Sequence, residues 1–224
     1  HETYIKNYHE EVNAIIDNAD KLKKYSIFNK AGSFSYANIL QTARDFERVK
    51  NVILPEDEYK GVQAYTTYYY QYFFTMLVMM FVIYDMFAQR DNGMWSITYS
   101  CANGRIMYAI KQTGVIVVTG AFTHTLIYWS TFIAAMLQRG GVRDLVNPVQ
   151  TIETFDKFTY PWSKIKYVTV LYLISMVCIV ALCITIWGVF VMFRNRVYAL
   201  VTMLIFAAVE QFIYSHIDIH SVWN

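Results

Sequence analysis

Three titratable side chains near the end of the chain are the residues best suited to chemistry. Glu210 lies within an apolar stretch, and His216 and His220 follow it. An acid at the centre of a membrane span costs about 2.5 to 3.5 kcal/mol to insert, so it is expected to have a role or a bonding partner. Glu210 therefore lines a polar path or bonds to another span, and the sequence leaves both possibilities open.

The two histidines do not by themselves predict a metal centre. On a helix His216 and His220 share a face, whereas Asp218 points away. Two histidines underfill a metal site, so no metal is predicted. The spacing from Phe212 to His216 is similar to that in intramembrane proteases of the CAAX-processing type, but the Glu-Glu-x-x-x-Arg helix of that family is not matched. An intramembrane hydrolase that uses Glu210, His216 and His220 stays as an alternative hypothesis.

Two common functional motifs are missing from the sequence. It contains no Gly-x-x-x-x-Gly-Lys-Ser/Thr loop to hold nucleotide phosphates and no Gly-x-Ser-x-Gly nucleophile elbow. Cys101, Cys178 and Cys183 have neither the spacing of metal ligands nor that of a disulfide framework. We therefore predict no catalytic residue and no bound cofactor in this chain.

Composition favours a membrane protein. The chain of 224 residues is 56% hydrophobic and 16% charged, whereas soluble proteins carry about 25% charged residues. Of the 36 charged residues, 19 lie in the first 60, so the remainder is apolar enough to prefer lipid. No basic run is long enough to bind nucleic acid, and the net charge of +2 indicates no particular partner.

The first 64 residues are predicted to form a hairpin of two amphipathic helices. Apolar residues recur every three or four positions through residues 1–27 and again through 36–50, which is typical of helices with one buried face. Ser35 is a candidate N-cap for the second helix. The apolar stripe of the first helix is predicted to contain Ile5, Tyr8, Val12, Ile15, Ala19 and Leu22. The simplest interpretation is a packed surface pair without a site of its own.

Four apolar stretches follow, and each is long enough to cross a membrane. About 20 helical residues cover a hydrocarbon core of roughly 30 Å. His124, in the second stretch, is expected to stay neutral and donate to a neighbour, while Glu210 weakens the fourth stretch. The chain is thus predicted to be an all-α polytopic membrane protein, with a hairpin over 1–64 and a transmembrane bundle over 65–224. The predicted spans are about 65–88, 112–138, 167–193 and 197–217.

The connections between the spans fall into two groups on opposite sides of the membrane, but they do not show which side is cytoplasmic. With four spans, the hairpin and the 139–166 loop share one side of the membrane. The polar segment after the first span shares the other side with the Arg194-Asn195-Arg196 turn. Basic loops favour the cytoplasm, yet both sides carry a basic excess.

The polar segment between the first two spans carries a recognisable pattern. It reads Arg90-Asp91-Asn92-Gly93, then Ser100, Asn103-Gly104-Arg105 and Lys111. The pattern resembles permease subunits of ABC transporters, in the type-2 exporter class. These carry an acid-x-Gly pattern, a short helix, a Ser or Pro near an Arg, and a Lys that enters the next span. Asp91 stands where the family usually has Glu, and the Pro before Arg105 is missing. The stretch from Phe34 to Phe46 also resembles the extracytoplasmic hairpin of some Gram-positive permeases.

The resemblance implies a fold, partners and a location. The family usually has six spans, so this chain would be a fragment that lacks the first and the last. The hairpin would lie outside the cell, and residues 90–111 would form a cytoplasmic coupling segment held by a separate ATPase subunit. ATP and Mg would bind to that subunit. Two permeases, identical or different, would enclose an export path through the plasma membrane.

The resemblance also implies roles for individual residues. The residues expected at the ATPase contact are Arg90, Asp91, Gly93, Ser100, Arg105 and Lys111, with Lys111 near the lipid headgroups. The polar residues expected along the membrane path are Asp85, His124 and Glu210. A membrane assembly subunit without transport activity is the remaining alternative.

Overall fold

The structure is a computed structural model that describes residues 2–25, 32–55, 60–67, 71–93, 97, 100, 104–139 and 141–216. For eleven non-glycine residues among these it describes only the backbone: Glu2, Ile5, Thr67, Gln89, Asp91, Val142, Arg143, Glu153, Tyr214, Ser215 and His216. Every regular element within these ranges is helical, so the prediction of an all-α chain is confirmed. The helices are α1 (Glu2–Leu22), α2 (Phe34–Glu47), α3 (Gly61–Thr67), α4 (Gln71–Met86), α5 (Ala88–Asp91), α6 (Gly104–Arg139), α7 (Lys164–Met192) and α8 (Arg196–His216). Three turns of 3-10 helix, Val142–Leu145, Val149–Thr151 and Glu153–Phe155, lie between α6 and α7.

Three of the described helices, α6, α7 and α8, are long and apolar enough to cross a membrane. They indicate a membrane protein. The α4 helix is also apolar but has 16 residues, or about 24 Å. That length is less than a hydrocarbon core of roughly 30 Å. A fourth span at α4 therefore stays a prediction.

The chain divides into two compact units. The first contains His1–Tyr68 and Phe132–Leu171, and the second contains Tyr69–Thr131 and Tyr172–Asn224. Both α6 and α7 contribute residues to each unit. In the second unit, segments 112–131 of α6 and 172–192 of α7 are each about 30 Å long. That length matches the hydrocarbon core of a bilayer.

In the first unit, α1 and α2 pack against each other. Tyr8, Val12 and Ile16 of α1 are buried together with Leu54, which follows α2. The apolar stripe was predicted to include Ile15 and Leu22. However, Ile16 is buried in place of Ile15, which is only half-buried, and Leu22 is exposed. Residues spaced four apart define this face, because successive turns of a helix place them above one another.

The N-cap of α2 is Ser33, so the prediction of Ser35 was wrong. The hydroxyl oxygen of Ser33 accepts a hydrogen bond from the backbone N–H of Tyr36 at 3.2 Å. Ser33 has the extended backbone that an N-cap requires, whereas Ser35 already lies inside the helix.

The connection from α6 to α7, also in the first unit, is a folded segment with its own buried polar groups. The carboxylate of Asp144 forms an ion pair with Lys164, the first residue of α7, and their side chains are 0% and 3% exposed. The backbone N–H of Lys164 donates to the carbonyl of Asn147 at 2.9 Å, and that of Val149 donates to the carbonyl of Trp162 at 2.9 Å. These bonds close the segment onto the start of α7.

In the second unit, α4, α6, α7 and α8 contribute to one apolar core. The α8 helix contacts α4 and buries Ala199, Met203 and Ala207, which are four residues apart. The α6 and α7 helices approach closely at Gly120, where an added Cβ would lie 2.5 Å from the sulfur of Cys183. Glycine at position 120 lets the two helices come this close, because it has no side chain to meet the sulfur.

Candidate functional site

One end of the second unit gathers charged side chains from two parts of the chain. Asp85 is exposed on the last turn of α4, Arg90 lies on α5, and Arg194 is exposed just before α8. The guanidinium of Arg196 lies 4.6 Å from the ring centre of Tyr84. The segment after α4 and the turn before α8 therefore lie together, and we call residues 84–93 and 190–196 the basic end.

Arg90 joins α5 to the C-terminal turn of α7. Its Nη1 atom donates to the carbonyl oxygens of Phe190 at 3.1 Å and Phe193 at 2.7 Å. Carbonyls in the last turn of a helix lack intrahelical donors, and a cation there also complements the helix dipole. The guanidinium lies 5.0 Å from the ring centre of Phe87, which packs against the ring of Phe190 at 5.5 Å. The short helix is thus bonded to a membrane helix more than 90 residues away in sequence.

Gly93 ends α5 in a conformation that favours glycine. Its φ angle is +73°, and its N–H donates to the carbonyl of Arg90 at 3.1 Å. A residue in the left-handed region commonly terminates a helix, and glycine adopts that region without steric cost. The glycine of the acid-x-Gly pattern therefore has a backbone role, and its contact with an ATPase stays a prediction.

The structure places the other predicted contact residues as follows. The side chain of Asp91 lies outside the described residues, as do residues 94–96, 98–99 and 101–103. The Ser100 hydroxyl donates to the carbonyl of Ile97 at 2.7 Å. Arg105 and Lys111 are exposed on the first two turns of α6. Of the six residues, Arg90, Asp91 and Gly93 thus belong to the basic end.

His124 is fully buried and bonds to two other helices. Its Nε2 atom lies 2.8 Å from the hydroxyl of Ser175 on α7, and its Nδ1 atom lies 3.2 Å from the hydroxyl of Thr75 on α4. Each hydroxyl also lies within bonding distance of a backbone carbonyl of its own helix, at 2.8 Å for Tyr172 and 2.7 Å for Gln71. His124 therefore connects three helices, and these bonds account for a histidine in an apolar core. A role on the substrate path stays a prediction.

Aromatic rings surround this polar junction. Tyr172 stacks on His124 with ring centres 6.3 Å apart, and Tyr128 packs beside both. The hydroxyls of Thr125 and Tyr172 lie 2.8 Å apart. Sequence reasoning missed Thr75, Ser175 and Tyr172 as partners of His124. The available signal was the presence of hydroxyl side chains inside apolar stretches, but the spans contain several such hydroxyls and the sequence does not select among them.

Glu210 is exposed on α8, and no described residue forms a hydrogen bond or ion pair with it. It lies three residues before Ile213, where the candidate span ends. An acid near the end of a span costs less than one at its centre, because its carboxylate is closer to the headgroups. A role on the substrate path therefore stays a prediction for Glu210, as it does for Asp85 on the last turn of α4.

The hydrolase hypothesis needs Glu210, His216 and His220 to converge. The side chain of His216 and the whole of His220 lie outside the described residues, so this convergence is untested. Among the residues that the structure does describe, no group of three His, Cys, Asp or Glu side chains is placed to hold a metal ion.

Comparisons with known proteins do not identify a family for this chain, so the argument for a family rests on the pattern at residues 90–111. The sequence matches no protein-family model, no curated protein and no solved structure.

Proposed function

We propose that this chain is a permease subunit of an ABC exporter in the plasma membrane. It would work with a separate ATPase subunit and a second permease. The observation that carries the proposal is the attachment of α5 to α7 through Arg90. A short polar helix that follows one membrane helix and is bonded to another is suited to transmit force from a soluble partner into the membrane.

The charge of the basic end supports a cytoplasmic location. Arg90, Arg194 and Arg196 lie there with Asp85 and Asp91, and basic residues next to spans favour the cytoplasmic side. In this topology α4 is a fourth span, which a bilayer accommodates by local thinning. The α1 and α2 helices then form an extracytoplasmic hairpin.

The hydrogen bonds at the basic end connect the proposed ATPase contact to the membrane helices. ATP binding closes the two ATPase subunits, and they push on residues 90–111. Since Arg90 holds the carbonyls of Phe190 and Phe193, the C-terminal end of α7 moves with α5. His124 links α4, α6 and α7, so these helices move together during alternating access.

Photo-crosslinking in the native membrane tests the partner. A photoreactive amino acid replaces Asn92, which is exposed beside Gly93, and a control replaces Asn38, which is exposed on α2. We expect position 92 to capture a protein that carries a Gly-x-x-x-x-Gly-Lys-Ser/Thr motif, and position 38 not to capture it. Capture of the same ATPase from both positions, or no ATPase from position 92, would contradict the proposal.

A further inference from the structure

We propose that Trp162 and Lys166, at the start of α7, form a binding site for the phosphate of an anionic phospholipid. The Nζ atom of Lys166 lies 4.8 Å from the ring centre of Trp162. Lys166 is exposed, and none of the described residues forms an ion pair or hydrogen bond with its ammonium group. An exposed cation held against an aromatic ring presents its remaining donors to an external anion.

The ring of Trp162 is held in place by its neighbours. It packs against Phe158 and Tyr160, with ring centres 5.6 Å apart in both cases. Its carbonyl accepts the N–H of Val149, and the buried ion pair of Lys164 lies two residues further on. The pair is therefore positioned before any ligand arrives, which lowers the entropy cost of binding.

The position of the pair along α7 matches the headgroup layer of a bilayer. This helix is the most hydrophobic of the three candidate spans. Beyond Ile165, which is 36% exposed, its exposed large apolar side chains begin at Leu173 and Ile174. Lys166 precedes Leu173 by about 10 Å along the helix. Each headgroup layer is about 5 to 8 Å thick. With Leu173 about 2 to 5 Å inside the acyl-chain region, Lys166 therefore lies within the headgroup layer, where tryptophan is also enriched.

The phosphate is proposed to come from a lipid because the acyl chains can follow the apolar surface of α7 directly below the pair. A soluble phosphate compound would gain only the charge contact. The site requires α7 to span the membrane but does not require an ATPase partner. Failure of the permease proposal would therefore leave it standing.

Native mass spectrometry of the full chain in detergent micelles, titrated with phosphatidylglycerol or phosphatidylcholine, tests the site. A lysine near a membrane surface contributes about 1 kcal/mol, or about fivefold in affinity, so Lys166→Gln is expected to weaken phosphatidylglycerol binding by that factor. Trp162→Ala is expected to weaken it about two- to fivefold, whereas Lys166→Arg retains it. The matched control is Lys157→Gln, which removes an exposed lysine of the same segment and is expected to have no effect.

Three results would overturn the proposal. Equal losses of phosphatidylglycerol affinity in Lys166→Gln and Lys157→Gln would show that the lipid is attracted to diffuse surface charge. Unchanged binding in Lys166→Gln would show that the pair holds no lipid. Glycerol phosphate that competes as strongly as the intact lipid would show a site for soluble anions. If Trp162→Ala does not fold, as judged by its melting curve, the Lys166 variants still decide between these outcomes.

Discussion

Replacing Lys164 by methionine is expected to destabilise the first unit strongly. The substitution keeps the apolar stem but removes the cation, so the carboxylate of Asp144 stays buried without its partner. Removing one member of a buried ion pair costs about 3 to 5 kcal/mol, because the remaining charge is desolvated and unpaired. At 1.4 kcal/mol per factor of ten, even the lower figure raises the unfolded fraction by about a hundredfold.

Removing both charges is expected to cost much less. The second carboxylate oxygen of Asp144 is buried without a hydrogen-bond partner among the described residues. The attraction within the native pair therefore only partly offsets the free-energy cost of removing its two charges from water. Buried pairs replaced by apolar residues of similar volume are often neutral or stabilised by about 1 to 4 kcal/mol. The variant Asp144→Leu/Lys164→Met is thus expected to be within about 1 kcal/mol of the wild type or more stable.

The assay combines unfolding of the full chain with limited proteolysis of residues 140–163. When opening is fast, proteolysis reports the fraction of open molecules, so Lys164→Met is expected to be cut about a hundredfold faster than the wild type or the double variant. The matched control is Lys166→Met, two residues away and exposed, which is expected to change the rate little. A single variant as resistant as the wild type would show that the pair is solvated. A double variant that is cut as fast as the single variant would show that the two charges are required for the stability of this segment.

Three further predictions concern the close helix contact, a buried phenol and the basic end. Gly120→Ala is expected to cost about 1 to 3 kcal/mol in thermal unfolding through overpacking, and Cys183→Ala in the same chain should restore most of it, since the added Cβ meets that sulfur. Burial raises the pKa of Tyr8 to about 12 from 10.0. The contribution of the protonated phenol to stability is therefore fully present below pH 10 and is lost as the pH rises towards 12. Tyr8→Phe should lose less stability than the wild type over that interval, and parallel curves of stability against pH for the two proteins would contradict this. Arg90→Ala is expected to lower both the melting temperature and transport-coupled ATP hydrolysis, whereas Arg105→Glu should leave insertion and melting intact and reduce only the coupled hydrolysis; unchanged coupling in both would count against the ATPase contact.

Local pattern was sufficient to predict the long helices. The α7 helix was predicted over 167–193 and lies at Lys164–Met192, because an uncharged run of that length has few stable structures other than a membrane helix. Periodicity predicted the buried residues Tyr8, Val12 and Ala19 of α1, whereas Leu22 is exposed. The cap of α2 did not follow from the sequence pattern, since two serines stand two residues apart and only the backbone conformation at Ser33 decides between them.

Contacts between distant parts of the chain could not be predicted. His124 bonds to Thr75 and Ser175, which are 49 and 51 residues away, and nothing in the local pattern selects them among the other hydroxyls of the spans. Asp144 and Lys164 are 20 residues apart, and their meeting depends on the 3-10 turns between them. For Arg90, the motif predicted an external partner, while the described contacts are with the end of α7.

Labelling of single cysteines from the two faces of the membrane tests the central claim most directly. In a chain whose native Cys101, Cys178 and Cys183 are replaced, Asn92→Cys reports on the basic end and Asn38→Cys on α2. A membrane-impermeant maleimide is expected to label position 92 only from the cytoplasmic face and position 38 only from outside. Labelling of both positions from one face, or of position 92 from outside, would contradict a cytoplasmic end that an ATPase can reach.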